Sequence, residues 1–97
     1  MDNKIAEKVA GVLKAVGHPI RLQVIEALEH QELAVNALVD LLGVQQAIIS
    51  RHLAIMKDKG VLACRRDKTS VYYRIANPAV IQLLHCVYSK CNTGNKG

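Results

Sequence analysis

The sequence predicts a mainly α-helical fold carrying one β-hairpin, in the order α-α-α-α-β-β-α. Three observations carry that expectation. Apolar residues recur at helical spacing in five stretches, two β-branched and tyrosine-containing runs stand together between residues 61 and 75, and glycine or proline marks most of the junctions.

Val9, Val12, Leu13 and Val16 give a first amphipathic helix over about residues 4–16, ended by Gly17. Pro19 fits the first turn of a second helix, where a missing amide costs nothing, and Ile20, Val24, Ile25 and Leu28 carry one apolar face to about residue 29. After the polar break His30-Gln31-Glu32, the residues Leu33, Val35, Leu38, Leu41 and Leu42 mark a third, short helix over residues 35–42, stopped by Gly43. A fourth, over residues 45–59, buries Ile49, Leu53 and Met56 and turns Gln46, Ala47, Ser50, Arg51 and Ala54 the other way. Gly60 closes it. Strands over residues 61–66 and 70–75 flank the turn Asp67-Lys68-Thr69. Asn77-Pro78 opens a last helix with Val80, Leu83, Leu84, Val87, Tyr88 and Cys91 in one stripe, and the polar tail 92–97 is expected to fray.

Ninety-seven residues make one domain, 1–97, whose core leaves little stability to spare. The only aromatics are three tyrosines, which excludes a binder of single strands that stacks bases on Phe or Trp. No apolar run reaches the roughly 20 residues of a membrane span and the first eight residues do not read as a secretory signal, so no membrane partner and a cytoplasmic location are expected. Cys64, Cys86 and Cys91 are odd in number with no Cys-x-x-Cys pair, so reduced thiols are the default. There is no glycine-rich phosphate loop, nucleophile elbow, His-x-x-x-His or carboxylate pair with a plausible cleft, and an enzyme is not expected.

Charge is unevenly spread. Residues 1–44 carry four basic and six acidic side chains, net −2, whereas 45–75 carry seven basic and two acidic, net +5. Two short helices about a glycine-containing turn, the second with a small and polar outer face, specify a helix-turn-helix, and a hairpin with a basic tip directly after them is a wing. Gln45, Gln46, Ala47, Ser50 and Arg51 suit base edges in a major groove: glutamine pairs with adenine, arginine with guanine, and alanine lets the helix approach or touches a thymine methyl. Arg65, Arg66 and Lys68 suit phosphates or a minor groove, and His52 is a further candidate for a phosphate. The alternatives are a helical hairpin in a small bundle, a merely solvated helix face, a charged strand edge that discourages aggregation, and a His52 that is simply hydrogen-bonded at the core boundary. The apolar stripes of the first and last helices exceed what one small domain covers, which points to a homodimer and suits a palindromic operator read by two helices one DNA turn apart.

Several strings resemble one family. Leu13-Lys14-Ala15-Val16-Gly17-His18-Pro19-Ile20-Arg21-Leu22, Glu32-Leu33-Ala34-Val35, Gln46-Ala47-Ile48-Ile49-Ser50-Arg51-His52-Leu53, Lys59-Gly60-Val61-Leu62 and Val71-Tyr72-Tyr73-Arg74-Ile75 follow, in order, the pattern of the ArsR/SmtB winged-helix repressors. That resemblance implies a winged helix-turn-helix homodimer joined through its first and last helices. It also implies operator binding by the fourth helix and the wing, and release of double-stranded DNA when an inducer binds or a thiol is modified. A protein-interaction module on the same fold and a repressor without an inducer are the rival readings.

The departures bear on the inducer. The family's Glu-Leu-Cys-Val-Cys-Asp-Leu metal box reads Glu32-Leu33-Ala34-Val35-Asn36-Ala37-Leu38, without either thiolate. Asn77 and Ala79 stand where an interhelical zinc site needs Asp and His, with Lys90 and Thr93 near its other two ligands, and Glu26 stands about where reactive-sulfur sensors carry a cysteine. Cys86 and Cys91, with Cys64, are the remaining candidates for sensing, by thiol oxidation or persulfidation or by binding arsenite or another thiophilic metal ion; the alternative is that all three are small hydrophobes. On a regular helix Cys86 and Cys91 lie about 140° apart, so holding one metal jointly requires the helix end to unwind. His18, His30 and His85 read as boundary side chains before ligands.

Overall fold

A computed structural model of the chain describes residues 1–94. Five helices and three strands run in the order α1 (Asn3–Val16), α2 (Pro19–Ala27), β1 (Leu33–Ala34), α3 (Val35–Leu42), α4 (Gln46–Asp58), β2 (Leu62–Asp67), β3 (Ser70–Ile75) and α5 (Ala79–Gly94). The architecture is a winged helix-turn-helix, and it agrees with the expected order except for one added strand. Residues Leu33 and Ala34 pair antiparallel with Tyr73 and Tyr72, giving a three-stranded sheet of order β1-β3-β2. Two residues are too few to show alternation in sequence, so β1 exists only because β3 offers it an edge.

Helix boundaries follow from local chemistry. Asp2 caps α1 by accepting from the Ile5 amide at 2.9 Å, and His18 caps α2 through Nδ1, which accepts from the Ile20 amide at 3.1 Å, with Pro19 in the first turn. The backbone must turn back sharply after α3 and α4. Gly43 at φ 66° and Gly60 at φ 76° supply those left-handed residues, which a side chain resists. Asn77 Oδ1 accepts from the Ala79 amide at 3.1 Å and starts α5 just after Pro78. The tail expected to fray from residue 92 is still helical through 94, and 95–97 lie outside the described residues.

The core is aliphatic throughout: Val24, Ile25 and Leu28 of α2, Leu38 of α3, Ile49, Leu53 and Met56 of α4, and Val61 and Leu62 entering the sheet, with Ala15, Val16 and Val80 closing the ends. It clamps α4 on α2, α3 and β2, so the outer face of α4 has a fixed direction. The Cα radius of gyration is 14.3 Å and the extents are 44 × 37 × 22 Å, wider than the radius of about 12.5 Å of a compact domain this long. The flat shape leaves apolar faces of α1 and α5 uncovered. No helix among the described residues is long and apolar enough to cross a membrane.

Candidate nucleic-acid interface

The helix α4 is amphipathic about a seam that the core fixes. Ile49, Leu53 and Met56 have no exposed surface, while Gln45, Gln46, Ala47, Ser50, Arg51 and Ala54 are all exposed on the other side. No acidic residue occurs from Gln45 to Lys57, so this face offers neutral hydrogen-bonding groups, two small aliphatic residues and a guanidinium. Among the described residues no carboxylate pairs with Arg51.

His52 belongs to a different environment from these exposed side chains. Its side chain is buried at the core edge, where Nδ1 accepts from Arg21 Nε at 2.9 Å and the ring lies 4.4 Å from that of His18, centroid to centroid. Burial, and after it the electrostatic influence of its neighbours, including the guanidinium groups of Arg21 and Arg51, holds its pKa below the ordinary 6.5. A neutral imidazole that accepts at Nδ1 carries its proton on Nε2. The reason is spacing: at about 100° per residue position 52 falls at the edge of the buried arc made by 49, 53 and 56, beside Met56.

The hairpin of β2 and β3 stands beside this face, in the register Arg65↔Tyr72, Arg66↔Val71 and Asp67↔Ser70, with Lys68 and Thr69 as its two-residue turn. Lys68 has φ 60°, the one non-glycine residue with positive φ among the described residues. A lysine there costs roughly 1 kcal/mol relative to glycine, so the tip carries an ammonium group at the expense of backbone comfort. Arg66 and Lys68 are exposed and have no carboxylate partner among the described residues.

Arg65 is unlike them. It sits mid-strand, and its Nε donates to Glu32 Oε1 at 2.8 Å, with Asp67 Oδ2 3.9 Å from Nη1 and the guanidinium carbon 4.7 Å from the centre of the Tyr72 ring. The hydrogen bond with Arg65 pulls the Glu32 carboxyl below its ordinary pKa and raises that of the guanidinium. No pattern in the sequence pairs Glu32 with Arg65, since a charge thirty-three positions away is found only by the fold.

A second surface lies across the molecule. Ile5, Val9 and Leu13 of α1, Leu22 of α2, and Leu83, Val87 and Tyr88 of α5 are each more than a third exposed. Several of them line one groove of about 420 Å³ together with Val16, Ile25 and Cys91. Glu29, at the end of α2, lies 2.7 Å from His85 Nε2 and 3.6 Å from His30 Nε2 and ties α5 to the core; His18, His30 and His85 thus all have structural partners.

The thiols do not converge within one protomer along α5. That helix continues through Cys86 and Cys91 without unwinding, so Cys91 lies in the apolar groove and Cys86 on the opposite, solvent side. Holding one ion jointly would require this end of α5 to unwind. Cys64 is half-buried on β2 opposite Tyr73. Among the described residues no three His, Cys, Asp or Glu side chains gather as a metal-holding group.

Known proteins repeat this arrangement. Residues 18–63, from the cap of α2 into β2, match the bacterial regulatory protein, arsR family. Nodulation protein NolR of Rhizobium meliloti is 35% identical over 79 residues, 81% of this chain and 65% of NolR's own length. The biofilm growth-associated repressor of Xylella fastidiosa (strain Temecula1) is 30% identical over 86 residues, 89% of this chain and 75% of that repressor. The homodimeric winged helix-turn-helix DNA-binding domain of a Mycobacterium bovis protein superimposes with a TM-score of 0.84 at 33% identity, covering 99% of this chain and 91% of that one. The motifs of α2, α3 and α4, the wing and these similarities agree: the chain belongs to the arsR family of bacterial regulatory proteins, which are regulators and not enzymes.

Proposed function

We propose that this chain is a cytoplasmic, homodimeric transcriptional repressor that binds a palindromic operator and leaves it when its thiols are modified or occupied. One observation carries the reading: the acid-free outer face of α4 stands beside a wing whose tip carries two unneutralised cations. In the major groove Gln45 and Gln46 address adenine edges, Arg51 a guanine, and Ala47 and Ser50 permit close approach. Arg66 and Lys68 reach phosphates or the adjacent minor groove and add affinity more than sequence choice.

Two protomers joined over α1 and α5 present two such faces about 34–36 Å apart, one turn of duplex. The uncovered apolar side chains of those helices support this, as does the homodimeric state of the M. bovis domain. The Xylella relative, itself a repressor, supports the sign of regulation. Effector response is assigned to Cys91 and Cys86, with Cys64 third, because these are the polarisable groups available to arsenite, a thiophilic metal ion or an oxidant.

A gel shift on the promoter fragment upstream of the chain's own coding sequence tests this. Neutralising about 6–10 phosphates makes affinity fall roughly 10³- to 10⁵-fold between 50 and 200 mM salt. Equal affinity for random duplex at moderate salt, or a monomer in solution, rejects the proposal; salt-insensitive association with another protein instead identifies an interaction module.

A further inference from the structure

We infer that Glu32, Arg65 and Tyr72 form a clasp that sets the angle of the wing to the reading helix, so that Arg65 is a positioning residue and not a phosphate contact. The inference rests on the DNA-binding reading above and deepens it. Glu32 immediately precedes β1, and β1 runs without a linker into α3, the first helix of the helix-turn-helix. The backbone ladder between that segment and the hairpin is only two residues long, Leu33↔Tyr73 and Ala34↔Tyr72. So short a ladder resists twisting poorly. The Arg65 guanidinium lies across it: Nε donates to Glu32 Oε1, Nη2 reaches the same oxygen, and the plane rests on Tyr72, the cross-strand partner of Arg65 and the β1 partner of Ala34. A planar fork held through two nitrogens with its carbon over a ring is restricted in orientation in a way that an ammonium on a flexible stem is not. Its charge is already answered by Glu32 and Asp67, so it has no free charge with which to neutralise a phosphate and displace that phosphate's counterion.

The test compares Arg65→Ala, Arg65→Lys, Glu32→Gln and the exchanged pair Glu32→Arg with Arg65→Glu, in the full-length dimer, with Arg66→Ala as the phosphate-contact reference. Operator affinity is read over a salt series, and amide hydrogen exchange of the β1–β3 ladder is read without DNA. Arg65→Ala, Arg65→Lys and Glu32→Gln each weaken operator binding about tenfold at every salt concentration and quicken exchange in the ladder. They leave the slope of log affinity against log salt unchanged, and the exchanged pair recovers most of the loss. Arg66→Ala lowers that slope by about 0.9. The clasp is overturned if Arg65→Ala lowers the slope by about the same amount while Glu32→Gln tightens binding, which marks a phosphate contact sequestered by Glu32. Rescue by lysine, or affinity and exchange unmoved by any single variant, overturns it equally. A wild-type protein that shows no operator preference while the ladder exchange still responds to Glu32→Gln rejects the DNA-binding reading alone.

Discussion

Arg21 donates from Nε to Nδ1 of His52 at 2.9 Å and from Nη1 to the Ala15 carbonyl at 3.2 Å, so a single side chain joins the end of α1, the start of α2 and the middle of the reading helix α4. The bond requires a neutral imidazole. Cationic His52 would have no acceptor at Nδ1 and would face the guanidinium directly.

Removing the acceptor leaves a partly buried guanidinium unsatisfied. His52→Ala is expected to lower the unfolding free energy by about 1–3 kcal/mol, measured by urea denaturation at fixed protomer concentration, because a dimer's stability depends on that concentration. His52→Gln, which keeps an amide oxygen in reach, should lose less. Unchanged stability with lost operator affinity would restore His52 to the DNA contacts.

The same contact sets a pH dependence. Because the folded pKa of His52 is depressed below 6.5 by burial, the unfolded chain binds more protons than the native one once the pH drops below that value. This contribution to stability is fully present above about pH 6.5 and is lost as pH falls through 6.5 toward the lower folded pKa. Denaturant midpoints of wild type from pH 7.5 to 5 should therefore fall more steeply than those of His52→Gln. Parallel curves would refute the assignment.

All elements but β1 were legible because each repeats a short-range pattern or is bounded by a turn residue: the Val9–Leu13 spacing of α1, the Ile49-Leu53-Met56 seam of α4, and the glycines at 43 and 60. The outer face of α4 was legible for the same reason, since the seam dictates its opposite side. What sequence could not show is contact across long separations. Arg21–His52, Glu32–Arg65 and Glu29–His85 link residues far apart in sequence, and the first two give internal partners to side chains whose types alone suit a phosphate. His52 was hardest, for a polar side chain on the edge of a buried arc shows its partner only when α2 packs against α4.

Lys68 exchanges stability for charge. In Lys68→Gly the φ of 60° becomes unstrained, so the variant should be more stable than wild type by up to about 1 kcal/mol. It should also bind operator more weakly, with the salt slope reduced by about 0.9. Thermal unfolding and a salt series of gel shifts check the two halves. A variant that gains stability and binds DNA as before would show that the tip does not touch the duplex.

Charge placed in the apolar groove should separate the protomers. Val87 and Leu13 are 51% and 47% exposed in the single chain, and hiding the remaining half of each contributes roughly 0.8–1.5 kcal/mol. Val87→Glu and Leu13→Glu should give a monomer by sedimentation equilibrium at micromolar concentration, with operator affinity approaching that of a half-site. A dimer that survives both substitutions places the interface elsewhere.

The two α5 thiols should not be equivalent. Cys91 lines the groove that a partner protomer is proposed to cover, whereas Cys86 faces solvent on the opposite side of the helix. Oxidation beyond the sulfenic stage adds charge to sulfur, and charge buried in an apolar contact is costly; on Cys86 the same charge stays hydrated. Cys91→Ser should therefore keep operator binding and lose release by oxidant, while Cys86→Ser stays responsive to oxidant. Because α5 holds the two sulfurs about 140° apart around its axis, an ion bound by one of them on the intact helix takes its other ligands from elsewhere, such as the partner subunit. Release by arsenite that survives the double substitution Cys86→Ser, Cys91→Ser would remove these thiols from sensing and leave Cys64, whose substitution then becomes the deciding measurement.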